Sequence, residues 1–304
     1  MSLTMATSSP IRPLTSSAAV ALAVAAVALV AQLPWALPGV FLWDDLPLLI
    51  GRDLYTAPDR WLDSLSVPLG IETSYWRPLA TTSFLLETLI HGGSATGFRV
   101  TAALLHALAS GLATLLFARF LRSRGAALVA GLVFAVHPVN VEAVTWISAR
   151  FDLLAGLFAL GALLCISDDG RARTARRRLA MGALTAAALL SKENAIVVPV
   201  LIALWGQVLA PAPDAVVPAI RAQWRTWGAA VAAVAIVALV RLERLGFVFR
   251  ANPLSAVEAG GPLAHLLLIG RAMASYAEAF FAPWSGVGPA HHGVRPVPAS
   301  DLQG

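Results

Sequence analysis

The strongest constraint on this chain is a series of apolar segments, most of them about long enough to cross a bilayer, with arginines grouped in several of the connections between them. Residues 17–36 form the first, rich in Ala, Val and Leu, and about 20 such residues in a helix cross a hydrocarbon core of ~30 Å. Of the 304 residues, 58% are hydrophobic and only 13% are charged, whereas soluble domains carry about 25% charged residues. The pattern therefore predicts an all-α polytopic membrane protein with about eight transmembrane helices.

The order of the segments predicts one transmembrane domain over residues 1–304. Its parts are a first span at 17–36, a long outer loop at 37–97 that would carry the catalytic groups, the remaining spans at 98–282, and a polar tail at 283–304. The tail contains no further domain, so one hypothesis is that the chain is a fragment.

Two apolar segments are interrupted or short, and each predicts a local structure. Pro78–Ile90 contains Glu87 and is too short to cross the core, so we expect a helix at the membrane interface. The stretch from Leu179 to Ala210 is too long for one span and is broken by Ser191-Lys192-Glu193-Asn194. We expect a tight hairpin there, with these polar residues at its tip.

The arginines indicate the orientation. Those within 119–124, 171–178 and 221–225 fall on one side if the spans alternate, and the positive-inside rule makes that side cytoplasmic. The acidic loop, the segment from His137 to Asp152 and the 191–194 tip then meet at the outer face. We therefore expect a multi-pass protein of the bacterial inner membrane with its site on the periplasmic face and no nucleic-acid partner. Arg241, Arg244 and Arg250 depart from this pattern.

Asp44 and Asp45 lie a few residues after the first span. Adjacent carboxylates at a bilayer edge are costly unless they have a function, and they predict a general base with a neighbour that orients it, or a pair that holds a divalent cation. The structural alternatives are a helix cap or a solvated loop pair. No cofactor is required by the sequence, and the divalent cation on this pair stays an open alternative.

The segment from His137 to Asp152 is the second candidate. If residues 140–152 are helical, Glu142, Trp146 and Arg150 share one face. We expect His137, Glu142 and Asp152 at the substrate site and Arg150 on a substrate phosphate. The alternative is a structural salt bridge in this segment, between Glu142 and Arg150 or one that involves Asp152.

Lys192, Glu193 and Arg77 complete the candidates. A Lys next to a Glu within an apolar stretch is costly unless each has a partner, which makes Lys192 a candidate phosphate contact and Glu193 a candidate site residue. Lys192 could equally extend to lipid headgroups. Arg77 would bind an anionic headgroup or substrate, or simply anchor the interfacial helix.

Four motifs occur in order along the chain. They are Trp43-Asp44-Asp45, then Tyr75-Trp76-Arg77-Pro78-Leu79, then His137-Pro138-Val139 with Glu142-Ala143-Val144 and Arg150-Phe151-Asp152-Leu153-Leu154, and finally Ser191-Lys192-Glu193-Asn194. Together they resemble the membrane part of the transmembrane and tetratricopeptide-repeat O-mannosyltransferases and their bacterial relatives, within the C-type glycosyltransferase superfamily. The resemblance extends over roughly residues 17–285. No tetratricopeptide repeats follow it.

The resemblance implies a catalytic Asp in the first outer loop, which would be Asp44 or Asp45. It implies a sugar carried on a polyprenyl phosphate and an acceptor hydroxyl on a protein or glycan, with membrane lipid around the site. Arg150 and Lys192 would contact the lipid phosphate. A single displacement would invert the anomeric carbon.

Two other functions are compatible with the same residues. A transporter or flippase of a lipid-linked solute would also place charges within the membrane, although such proteins often show internal repeats, and none stands out here. A non-catalytic relative is the second alternative. Loss of sugar transfer on substitution of Asp44 or Asp45 would distinguish the enzyme from both.

Overall fold

A computed structural model describes residues 14–42, 44–45, 48–49, 75–209, 223–246 and 262–283. The α-helices among these residues are α1 (Leu14–Ala36), α2 (Pro78–His91), α3 (Ala95–Leu121), α4 (Arg124–Val136), α5 (Val141–Thr145), α6 (Arg150–Leu164), α7 (Ala175–Ser191), α8 (Val198–Leu209), α9 (Trp224–Leu245) and α10 (Pro262–Phe281). Short 3₁₀ turns cover Pro138–Asn140, Ile147–Ala149 and Glu193–Val197. Trp43, most of the expected outer loop and the tail after Pro283 lie outside the described residues.

The described helices confirm a helical protein suited to a membrane, but not the expected eight spans. Three segments are long and apolar enough to cross a bilayer: Ser17–Ala36, Ala95–Leu121 and Ile147–Leu164. A fourth would combine α4 with the turn and α5 that follow it, across a bend of 47°. Glu193–Leu209 is apolar but shorter.

Helix α3 is the centre of the first half of the structure, where it packs against α1, α4 and α6. Small residues allow these helices to approach closely, which is how helices associate where lipid removes the hydrophobic drive. A Cβ built on Gly111 of α3 would lie 3.4 Å from the Ala21 carbonyl oxygen of α1. A Cβ built on Gly131 of α4 would lie only 2.3 Å from Thr114 Oγ1 of α3.

The second half is built around α7, which packs against α6 and α9. Met181 of α7, Ile202 of α8 and Ala230 of α9 are buried in one apolar cluster. The polar break predicted between α7 and α8 is present, because Lys192 adopts an extended conformation (φ −155°, ψ 136°) and ends α7. Helix α8 then returns, since a Cβ on its Gly206 would lie 2.9 Å from the carbonyl oxygen of Gly170, which precedes α7.

The described arginines of the three groups lie at one end of the bundle, as the sequence predicts. Arg119, near the end of α3, donates from Nη1 to the Leu164 and Ile166 carbonyl oxygens at the end of α6, at 3.1 and 2.7 Å. Ala172, before α7, donates its backbone N–H to Thr226 Oγ1 of α9 at 3.2 Å. Helix α3 therefore ends where α7 and α9 begin, and the acidic pair after α1 lies at the opposite end.

The prediction of one helix over residues 140–152 is wrong. Trp146 has an extended ψ of 112°, which ends α5 after Thr145, and a 3₁₀ turn precedes α6 at Arg150. Glu142 and Arg150 therefore lie on separate helices and do not share a face. Asp152 falls in the first turn of α6, as expected for the start of that span.

Helix α2 forms where an interfacial helix is predicted. Pro78 at its first position and Gly92 at its C-cap, in the left-handed region at φ 68°, set its two ends. One face packs against α3, α6 and α7, and Phe84 and Glu87 lie on this buried face. Leu86, Leu89 and Ile90 are exposed. The apolar outer face is consistent with a location beside lipid.

Candidate active site

The two aspartates of the first motif have different environments. Asp45 has no exposed surface. Its Oδ2 accepts the Leu42 N–H at 2.8 Å, and its Oδ1 accepts both the N–H (2.8 Å) and the hydroxyl (2.6 Å) of Ser148. Asp44 is exposed. Asp45 thus connects the loop after α1 to the 3₁₀ turn before α6 by hydrogen bonds. Its neighbour Asp44 lies at the surface.

This donor set does not suit a divalent cation on the pair. Two N–H groups and one hydroxyl occupy three of the roughly four acceptor positions of the Asp45 carboxylate, which leaves one on Oδ2, whereas a divalent cation takes several oxygen ligands. Within the described ranges, no three His, Cys, Asp or Glu side chains come close enough together to hold a metal ion.

Arg99 is a buried cation near this pair that the sequence analysis did not single out. It lies in α3, is 5% exposed, and donates from Nη1 to the Trp35 carbonyl oxygen at 3.4 Å, near the end of α1. Its charge is attracted by Asp45. An arginine inside an otherwise apolar span was the available signal, because such residues generally face a polar interior.

Arg150 is wholly buried in an ion pair with Glu87 of α2. The two guanidinium nitrogens Nη1 and Nη2 donate to the two carboxylate oxygens, and Nη2 also donates to the Phe98 carbonyl oxygen at 2.7 Å. Because Arg150 has no exposed surface, it offers nothing to a lipid phosphate in this structure. The geometry favours a structural role for Arg150, and its partner is Glu87 and not the Glu142 of the alternative interpretation.

Arg77 forms a second pair, with Glu193. Its Nε and Nη2 donate to Oε2 and Oε1 at 3.1 and 2.6 Å, so the contact is bidentate. The guanidinium also lies 4.5 Å from the ring centroids of Tyr75 and Phe151. Arg77 is thereby fixed in orientation, between the segment before α2 and the turn after α7.

Glu193 remains ionised at neutral pH. Burial alone would raise its pKa, but the hydrogen bonds and the charge of Arg77 outweigh burial and hold the pKa below the ordinary value for a glutamate. Arg241 of α9 adds a further attraction and donates from Nη1 to the Trp76 carbonyl oxygen at 3.5 Å. Arg241, a residue that departs from the charge pattern of the sequence, is thus part of this cluster.

Lys192 pairs with Asp152 of α6. Nζ lies 2.5 and 2.7 Å from the two carboxylate oxygens. The side chains are 25% and 47% exposed, so this pair is open to solvent or a ligand in a way that the Arg150 pair is not. Lys192 is therefore the most accessible of the predicted phosphate contacts.

His137 and Glu142 lie in the segment between α4 and α6. The His137 Nδ1 accepts the Val139 N–H, and its ring stacks on Phe280 of α10, whose carbonyl oxygen lies 2.9 Å from Nε2. Glu142 is partly exposed in α5. Roles for these two residues in substrate binding stay predictions.

The contacts confirm that the three predicted segments meet. Asp45 reaches Ser148, Asp152 reaches Lys192, and Glu193 reaches Arg77. The first loop, the 137–152 segment and the 191–194 break therefore form one polar cluster at the end of the bundle opposite the arginine groups. Its members from α2 and α9, Glu87 and Arg241, were not predicted.

Comparison with known proteins agrees with the motifs. The protein O-mannosyl-transferase Tmtc2 of Drosophila melanogaster is 36% identical over 179 residues, which is 54% of this chain and 19% of the fly protein. Tmtc2 of Xenopus laevis is 41% identical over 107 residues, 35% of this chain and 13% of the frog protein. Human TMTC2 is 38% identical over 146 residues, 46% of this chain and 17% of the human protein.

These matches cover a small part of each relative, less than a fifth in the three proteins above. No family model matches the chain, and no solved structure matches it. The relatives are eukaryotic, so they do not support the expected bacterial inner membrane. The resemblance predicted from the four motifs is nevertheless confirmed: this chain is similar to the protein O-mannosyltransferases.

Proposed function

We propose that the chain is an integral-membrane glycosyltransferase, which moves a sugar from a polyprenyl-phosphate donor to a hydroxyl of a protein or glycan acceptor at the outer face. The observation that carries this proposal is the unequal acidic pair. Asp44 is exposed, and the buried Asp45, which accepts three hydrogen bonds, holds it at the polar end of the bundle. The similarity to proteins named O-mannosyltransferases supports the same class of reaction.

Asp44 acts as the general base. Its carboxylate accepts the proton of the acceptor hydroxyl, and the oxygen attacks the anomeric carbon of the donor. The bond from that carbon to the phosphate oxygen breaks, the electron pair leaves on the phosphate, and the carbon is inverted. Asp45 is a positioning residue, because its two oxygens accept hydrogen bonds from backbone and hydroxyl donors. Its side chain is buried, out of reach of the acceptor substrate.

Lys192 stabilises the leaving phosphate. A cation placed where negative charge develops lowers the barrier most effectively when the protein holds it in position beforehand. Asp152 holds Lys192 in this way while both side chains keep exposed surface. Arg77 and Glu193, with His137 and Glu142, remain candidates for the walls of the substrate site. Arg150 is assigned to the structural pair with Glu87.

The test compares Asp44→Asn and Asp45→Asn for transfer of radiolabelled sugar from a set of polyprenyl-phosphate donors in membranes. Asp168→Asn is the matched control, because Asp168 is an 85% exposed carboxylate at the arginine-rich end. We expect Asp44→Asn to lower transfer by about 10²–10⁴-fold with unchanged thermal stability, since loss of a general base has this effect. Asp45→Asn should lower both transfer and thermal stability.

Two outcomes would contradict the proposal. If Asp45→Asn abolished transfer at unchanged stability while Asp44→Asn stayed active, the roles of the pair would be reversed. If both variants transferred sugar as well as Asp168→Asn, the pair would not be catalytic. Movement of labelled lipid across the membrane in a chain that transfers no sugar would instead support the transporter alternative.

A further inference from the structure

A polar cavity of about 530 Å³ lies at the arginine-rich end, away from the candidate active site. Four arginines and one aspartate supply the charged side chains among the described residues that line it: Arg171, Arg173, Arg178, Arg225 and Asp169. Arg173 and Asp169 form a 2.8 Å ion pair, which leaves an excess of positive charge. The cavity is therefore suited to an anion.

Two helix N-termini add to the positive charge at this cavity. Helix α7 begins at Ala175 and α9 begins at Trp224, and residues beside both starts line the cavity. The start of a helix carries a partial positive charge and favours phosphate. Two of the arginines are also held in place. Arg178 donates to the Ala172 and Arg173 carbonyl oxygens at 3.1 and 3.2 Å, and the Arg225 guanidinium lies 5.4 Å from the Trp224 ring.

An apolar groove of about 360 Å³ continues from this cavity between α7 and α9. The two share Arg178, Trp224 and Arg225, so the arginines lie at the junction. Beyond the junction the groove is lined by Leu179 and Gly228, among other small and apolar residues. Leu179 is 73% exposed, which is the surface that lipid covers in a membrane-spanning protein.

Asp169 indicates which groups, besides an anion, a ligand in the cavity would need. Its Oδ2 accepts from Arg173, but its Oδ1 is buried and has no hydrogen-bond partner among the described residues. A buried acceptor of this kind is stabilised by a donor from a ligand. A headgroup with both a phosphate and hydroxyl groups would satisfy the arginines and this oxygen together.

We propose that this cavity and groove form a binding site for an anionic phospholipid with a hydroxylated headgroup. The phosphodiester lies among Arg171, Arg178 and Arg225, and an acyl chain lies in the groove along Leu179 and Gly228. Orientation by the positive-inside rule requires arginines at this end but neither a cavity nor a groove. The site is independent of the proposed transfer reaction.

The experiment measures lipid retention by the full-length chain, purified in detergent, with native mass spectrometry. The probes are phosphatidylglycerol and, for comparison, phosphatidylcholine, which has the same acyl chains and no net charge. We expect one tightly retained phosphatidylglycerol, and an Arg178→Gln/Arg225→Gln variant should weaken retention by about thirty-fold, since each arginine near a membrane surface contributes about fivefold. Arg122→Gln/Arg124→Gln, outside the cavity at the same end, should have no effect.

A second variant separates the lipid from a free phosphate. A Cβ on Gly228 meets only Trp224 Cε3, at 3.9 Å, so Gly228→Leu can fold and fill the groove. It should lower retention of phosphatidylglycerol and leave that of inorganic phosphate unchanged. Gly125→Leu is the control, because no atom lies within 4 Å of a Cβ there.

Three results would overturn the proposal. They are equal retention of the two phospholipids, equal effects of the cavity and control arginine variants, and phosphatidylglycerol binding that inorganic phosphate displaces and Gly228→Leu does not change. The last would show that the cavity holds a soluble phosphate and not a lipid.

Discussion

At the scale of single residues, the Glu87–Arg150 pair has the least exposed side chains of the described ion pairs, at 8% and 0%. Two charges withdrawn from water are tolerated when they neutralise each other and most of their hydrogen-bonding groups have partners. Here Nη2 of Arg150 also binds the Phe98 carbonyl oxygen, and the guanidinium lies 5.3 Å from the Phe84 ring centroid. The pair thus joins α2, α3 and α6.

We expect Glu87→Gln and Arg150→Met each to destabilise the protein by about 3–5 kcal/mol, because each leaves the other charge buried without its partner. The double variant should be more stable than either single variant. Chemical denaturation in detergent micelles measures the free energy of unfolding of each variant. Asp168→Asn, which removes an exposed carboxylate, should change stability by less than about 1 kcal/mol. If the stability losses of the two single variants added up in the double variant, the two charges would not stabilise each other.

The sequence was sufficient for the residues that stand out locally and insufficient for their partners. Asp44 and Asp45 are conspicuous because they are adjacent at the end of an apolar segment. Glu87 was noted only as an interruption of a short helix, since its partner lies 63 residues away. Pairing across such a distance depends on how the helices pack, which periodicity does not determine.

At the scale of elements, the contact between α3 and α4 depends on one glycine. A Cβ on Gly131 would lie 2.3 Å from Thr114 Oγ1 and 3.2 Å from Thr114 Cβ, and Thr114 is fully buried. The Thr114 hydroxyl donates to the Ser110 carbonyl oxygen at 2.7 Å, so it cannot easily turn away. The two helices would have to separate to accept a side chain.

Gly131→Ala should therefore lower stability by about 1–3 kcal/mol, the usual cost of overpacking. Gly125→Ala in the same helix should be neutral or stabilising by about 0.5–1 kcal/mol, because it meets no atom within 4 Å and restricts the unfolded chain. Thermal unfolding in detergent compares the two. Addition of Thr114→Ala to Gly131→Ala should restore much of the lost stability. If stability does not recover, contact with Thr114 is not the cause of the loss.

Element boundaries were predicted well where an apolar run has polar ends. The first of the remaining spans was expected to start at residue 98, and α3 starts at Ala95, where the Ser94 hydroxyl accepts the Gly97 N–H as the N-cap. The break at Trp146 was missed because no Gly or Pro lies within residues 139–150 to mark it, and tertiary contacts decide that the chain turns there. The bend after α4, at His137-Pro138, was signalled by the proline.

At the scale of the whole molecule, the polar cluster and the arginine groups occupy opposite ends of the bundle. Labelling with a membrane-impermeant maleimide tests the predicted orientation, in a Cys165→Ser background that lacks other thiols. In intact cells Tyr75→Cys should be labelled and Arg176→Cys should not, and permeabilisation should expose both. If Arg176→Cys were labelled from outside, the predicted orientation would be wrong, and so would the proposed side of the reaction.

The ion pairs also constrain the order in which the protein can be made. Arg77 finds Glu193 only after 116 further residues, which takes roughly 6–23 s at ~5–20 residues per second of synthesis. Glu87 waits for a further 63 residues before Arg150 emerges. During these intervals α2 carries uncompensated charge and is poorly suited to enter a bilayer. We infer that α2 stays at the membrane surface, or with an insertion chaperone, until α6 and then the turn after α7 have been synthesised to receive it.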